Sequence, residues 1–253
     1  MPLTSITDVI HALDKIVLHC IATKNRAGYF AALYKHMTMA VGEGILNGRF
    51  EDGKRMEQLD IVFAQRYLNA WELYYKPALC TVSWKGSFDS CSNKSLIVMQ
   101  HLLLGINTHI NLDLAIAAAT VSPGNKIHAM ANDFNRINDV IASLLDDVQQ
   151  CLEQVWLPMR WLKRVAAKEQ HDVLNFSIGV ARKTAWANAV LLAGMTVQQQ
   201  QAHIQAMDRM VHNVGRRIIS PGMWSSAVLK MIRMTEYEDV ARTIRLIDTT
   251  VVE

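Results

Sequence analysis

Apolar residues recur along this chain every three to four positions, and strict two-residue alternation over the length of a strand is scarce. The first period puts apolar side chains on one face of a helix; the second would put them on one face of a sheet. Ala, Leu, Met and Gln are abundant in the periodic stretches and cost little to place in a helix. The five prolines sit at points of punctuation between these stretches. The pattern predicts an all-α protein.

The first helix is predicted over about Ile6 to Thr23, and the second from near Arg26 through "YFAALYKHMTMAVGEGIL". "NGRFEDG" is a turn by composition. A third helix, "KRMEQLDIVFAQRYLNAWELYY", ends before Pro77. "ALCTVSWKGSFDSCSNKS" reads as irregular, with Ser92 or Asn93 placed to cap the next helix. A central helix is expected from about Leu96 to Ala119, stopped by "VSPGN", and a long one from about Lys126 to Trp156, ended by Pro158. One or two more close at Gly194. Thr196 caps a helix that runs up to Pro221, and the last begins near Met223. No internal repeat and no Ser/Gly/Pro-rich linker breaks the series. The expectation is one domain over 1–253, a multi-helix bundle around the buried central helix at about 96–119, with helices 196–253 packed on its core.

The central helix carries the candidate chemistry. A helix advances about 100° per residue, so residues four apart lie about 40° apart. His101, Gly105, His109 and Asp113 are each four apart and form one slanting stripe; Asn107 and Asn111 form a second, roughly opposite. Leu, Ile and Ala fill the rest, and a helix apolar nearly all round is a buried one. Polar groups inside it need partners, at roughly 1–3 kcal/mol for each one left unpaired. His109 and Asp113 are spaced to share a metal ion or to bond each other. Gly105 leaves room for a ligand or a close helix. The next helix offers Asn132, Asp133, Asn135, Arg136, Asn138 and Asp139, and its short connection makes it an antiparallel neighbour, with Asp133 a partner for Asp113. The third helix adds Asp60 and Arg66, expected to pair with each other or Arg66 with Asp133; the second adds Tyr34, His36, Thr38 and Glu43. Asp208, His212 and Arg216 read as a surface ion-pair ladder, and Arg182 is spaced to stack on Trp186. Asp146 and Asp147 read as a solvated face, and Trp84, Trp156, Trp161 and Trp186 as core plugs.

Composition narrows the field by exclusion. With 51% hydrophobic and 19% charged residues, a chain of 253 can bury a sizeable core. The 26 basic and 23 acidic residues leave +3, too even for a nucleic-acid partner. Charged residues interrupt the N-terminal helix, so no signal peptide is read, and no membrane span is expected. Cys20, Cys80, Cys91 and Cys151 form neither a C-x-x-C pair nor a zinc pattern, which suits reduced thiols in a cytoplasmic protein. Nucleotide-binding glycine motifs, G-x-S-x-G and H-E-x-x-H are absent.

"FEDGKRMEQLDIVFAQRYLNAW", "HLLLGINTHINLDLAIAAA" and "DFNRINDVI" together resemble an uncharacterised bacterial helical family, domain of unknown function 5995, over a core of about 29–190. The resemblance implies a helical protein and a shared site that includes Asp60, Arg66, His101, Asn107, His109, Asn111, Asp113, Asp133 and Asn138; it supplies no reaction. "HINLD" is also similar to the H-x-x-x-D pairs of helical zinc phospholipases C, although the N-terminal tryptophan ligand and the full histidine set of that family are missing, so one metal or none is expected rather than three.

Three functions suit these residues. In the first, His109, Asp113 and Asp133 hold one divalent ion whose water is the nucleophile of a hydrolase, His101 is an acid or base and Arg66 binds an anionic group. Without metal, His109 is a base oriented by Asp113, for isomerisation, cyclisation or elimination. In the second, the same groups, with Asp60, Asn107, Asn111 and Asn138, orient a small or lipid-like ligand in an apolar pocket. In the third, they only lock the helices together. The oligomeric state stays open, a homo-oligomer included.

Overall fold

The computed structural model describes residues 3–74, 76, 80–137, 179–221, 223–236 and 238–249, which fold as helices without a strand among them. Helix α1 (Ile6–Thr23) opens on a capping box in which Ser5 and Asp8 serve each other's backbone, and ends where Lys24 turns left-handed at φ 52°. It packs along α2 (Ala27–Leu46). Helix α3 (Gly53–Leu73) is capped by Asp52. Helix α4 (Val82–Ser90) lies inside the stretch expected to be irregular. Its nine residues are too few to declare a period, and its start is secured from afar: Asp208 accepts from the Val82 and Ser83 N–H groups at 2.9 and 3.0 Å. Asp208 is therefore a cap, not a rung of a surface ladder.

The central helix α5 (Val98–Val121) is long and apolar enough to cross a bilayer, but 83% of its apolar window is buried inside the fold. It touches α2, α3, α4 and α8 (Val197–Ile219). Its cap is neither Ser92 nor Asn93; the free N–H groups of Ile97 and Val98 go to the side chains of Gln100 and Glu236. Its middle is a π turn, His109–Leu114, between α-helical segments Val98–Thr108 and Ala115–Val121. Beyond it, Gly124–Met130 is a 3₁₀ segment where α-helix was expected from Lys126. Helix α6 starts at 131 and is described to 137, and α7 is described over 179–193. Asn138, Asp139, Asp146, Asp147, Cys151, Trp156 and Trp161 lie outside the described residues.

Helix α8 carries the expected Thr196 cap, answered by Gln199. The single helix expected after Met223 is two, α9 (Met223–Thr235) and α10 (Val240–Thr249). Glu236 leaves the helix to reach Val98 N, and Asp239 caps the restart at Arg242 N. Two large apolar clusters form among the described residues, one around α1, α2 and α10, the other around the second half of α5 with α7 and α8. Met37, Phe63 and Ile106 border both, and the site lies along that seam.

Candidate active site

Asp113 is the anchor. It is 1% exposed, and both of its carboxylate oxygens are engaged: Arg66 Nε donates to Oδ1 at 2.8 Å, Trp84 Nε1 donates to Oδ2 at 2.8 Å, and His109 Nδ1 stands 3.1 Å from Oδ2. Burial alone would raise its pKa, but Arg66 and the His109 and Trp84 hydrogen bonds outweigh it and hold the group below the usual carboxylate range. An ionised carboxylate only accepts, so Nδ1 of His109 carries the proton and Nε2 is left with its lone pair. Burial lowers the His109 pKa from 6.5, against the partial resistance of Asp113, so the ring is neutral near pH 7. The π turn sets the register of this pair; such turns recur at functional positions in helices.

Aromatic rings fix the imidazole. Phe63 stacks on it at 3.6 Å between centroids and 8° between planes, and Tyr34 meets it edge-on at 4.4 Å. Phe30 packs at 5.7 Å, into space that exists only because residue 105 is glycine: a Cβ there would collide with the Phe30 ring. Gly105 thus serves a neighbouring helix.

His109 lines a cavity on the seam, in which the centre of a water molecule has about 50 Å³ to move. Its wall is almost wholly apolar, with Met37, Phe63, Ile106 and Ile110 among its lining. Four polar atoms are buried on that wall: His109 Nε2 and Asp60 Oδ2 have no hydrogen-bond partner among the described residues, and the Tyr34 and Thr38 hydroxyls have only each other there. Burial, with Glu57 nearby, pushes the Asp60 pKa up to about 7. Arg182, also on the wall, donates to the Phe134 carbonyl at 2.6 Å and lies over the Phe134 ring rather than on Trp186; burial lowers its pKa to about 10.

The other candidate residues are elsewhere. Asp133 is buried at the start of α3, where it accepts from the Glu51 and Asp52 backbone at 2.7 and 3.0 Å and from Arg55 at 3.2 Å. The connection Gly124–Met130 carries it to the "FED" turn instead of to Asp113. Arg66 pairs with Asp113, not with Asp60 or Asp133. Among the described residues, no three His, Cys, Asp or Glu side chains gather as a metal site. His101 faces Tyr29 at 5.9 Å, with neither ring nitrogen hydrogen-bonded among the described residues; burial, then Arg26 and Arg233, lowers its pKa to about 3. Asn107 donates to Val211 O and Asn111 to Asn107 Oδ1, so that stripe fastens α5 to α8. Asn138 is outside the described residues. Cys20, Cys80 and Cys91 are free thiols.

Trp84 and Phe63 are site residues that the pattern did not assign. Asp60, Phe63 and Arg66 are three apart along one face of α3, a signal open to inspection. Trp84 had none beyond the general need of a buried indole N–H for an acceptor.

Fold and site together define an all-α protein with a buried His–Asp pair whose histidine lines an apolar cavity. Residues 6–221 match the family described as "Family of unknown function (DUF5995)", and the chain belongs to it. The match reaches past the expected core of 29–190 to include α1 and α8. No curated protein and no solved structure matches the chain.

Proposed function

We propose that this protein is a metal-free acid–base enzyme acting on a small, largely apolar molecule, with His109 Nε2 as general base. The observation that carries this is the pairing of His109 Nδ1 with an ionised Asp113 while Nε2, on a cavity wall, has no partner among the described residues. Arg66 and Trp84 act as positioning residues that hold the carboxylate. The donor set favours proton transfer over metal chemistry: both Asp113 oxygens are already engaged, and Asp133 serves the start of α3. A binding-only function rests on the apolar lining alone and leaves the His–Asp pair without a role.

The test is ring opening of 5-nitrobenzisoxazole, a reaction that asks for little beyond a base in an apolar site. His109→Gln should reduce it by about 100-fold or more while the melting temperature stays within a few degrees. Because the His109 pKa lies below 6.5, the rate should hold as pH falls through 6.5 and drop only below it. Wild-type protein no faster than the variant would refute the base assignment.

A further inference from the structure

The cavity wall around His109 narrows the substrate. We infer that Asp60 is the acid partner of His109 in a reversible keto–enol proton transfer, on an uncharged, largely hydrocarbon substrate with one carbonyl and a C–H beside it. This rests on His109 being the base. Three observations carry it. Asp60 Oδ2 is buried without a partner among the described residues on the wall of the cavity that His109 lines, beside the buried Tyr34 and Thr38 hydroxyls. Nearly all the remaining wall is apolar, which suits a hydrocarbon body with a single polar end. Arg182, the wall's cation among the described residues, is engaged by the Phe134 carbonyl and ring, so the wall holds no charge set out for an anion.

Protonation states agree with these roles. With a pKa of about 7, Asp60 keeps its proton over much of the neutral range, and a protonated carboxyl is a donor. Among the described residues, the titratable and charged groups around it are Glu57 on α3, Tyr34 on α2, His109 on α5 and Arg182 on α7. In the step, Nε2 takes the proton from the carbon beside the carbonyl. That C–H electron pair becomes the C=C bond of the enol, the carbonyl π pair moves to oxygen, and the oxygen takes the Asp60 proton. Enol, imidazolium and carboxylate result. Return of the imidazolium proton to carbon, at the same or a conjugated position, and of the enol proton to Asp60 restores the enzyme. No oxidant or metal enters the balance.

The experiment follows α-proton exchange of cyclohexanone and 2-decalone in D₂O near neutrality by NMR, beside benzisoxazole opening by the same samples. Wild type should exchange at least one ketone well above buffer. Asp60→Asn should lose about 100-fold of that exchange but less than tenfold of the benzisoxazole reaction, which needs no acid at a carbonyl. Asp60→Glu, which keeps an acid, should recover part of the exchange and guards against a folding defect in the amide variant. Benzisoxazole opening without ketone exchange in wild type, or exchange undiminished in a folded Asp60→Asn, overturns the inference and leaves the base standing. Failure of both reactions in wild type removes the base, and the inference with it.

Discussion

Asp113 and Asp60 are both buried carboxyls within one site, and their surroundings drive them apart. Asp113 gains a guanidinium, an indole N–H and an imidazole, and stays charged. Asp60 gains none of these on Oδ2 and is pushed up to about 7. Between its ordinary value of 3.8 and about 7, the folded chain holds the Asp60 proton and the unfolded chain has released it. Stability therefore falls as pH rises through that window, by on the order of 4 kcal/mol for this group. Asp60→Asn removes the dependence. The variant should become more stable than wild type as pH rises from 4 to 8 in urea unfolding curves; a constant difference across that range would deny the buried, proton-holding Asp60. The penalty is the kind a working site retains at the expense of stability.

At the scale of the element, the π turn and Gly105 shape the site together. The turn sets His109 over Asp113, and the glycine one helical turn earlier lets Phe30 lie against the imidazole. Gly105→Ala forces a methyl group onto the Phe30 ring. We expect a loss of about 1–3 kcal/mol in unfolding, from overpacking, and slower benzisoxazole opening as the rings around His109 shift. A variant with wild-type stability and rate would show that Phe30 can yield without disturbing the base. Helix α4 depends on distant residues in the same way. Trp84 and Phe88, four apart, bury one face, and Trp84 Nε1 delivers the bond to Asp113. A nine-residue helix with its cap 126 positions away was hidden in a stretch rich in Ser, Cys and Lys.

Over the whole molecule, α10 packs on the core even though the family match ends at 221. Ile244 and Ile247 are buried against α1 and α2, beside Gly28, where a Cβ would strike Ile244. Lys35 bridges Asp14 on α1 and Asp248 on α10 at 2.9 and 2.6 Å. Removing residues 222–253 should expose that surface and lower the melting temperature by on the order of 10 °C. An unchanged melting temperature would mean that α10 packs on the core without supporting it.

By itself the sequence determined the helical class, most helix positions, the buried centre of α5 and the pairing of His109 with Asp113, because each arises from local periodicity or a spacing of four. It also marked Asp60, Tyr34 and Thr38 by type. Only tertiary structure decided which of these share a cavity. His101 lies on the stripe of His109 yet sits eight residues away beside Tyr29, while Asp133 is drawn to the start of α3. Arg66 and Trp84 reach Asp113 from other helices across 47 and 29 positions. Sequence spacing governs neighbours along one helix; the partner of a buried charge is settled by which helices pack against it, and that is a property of the assembled core.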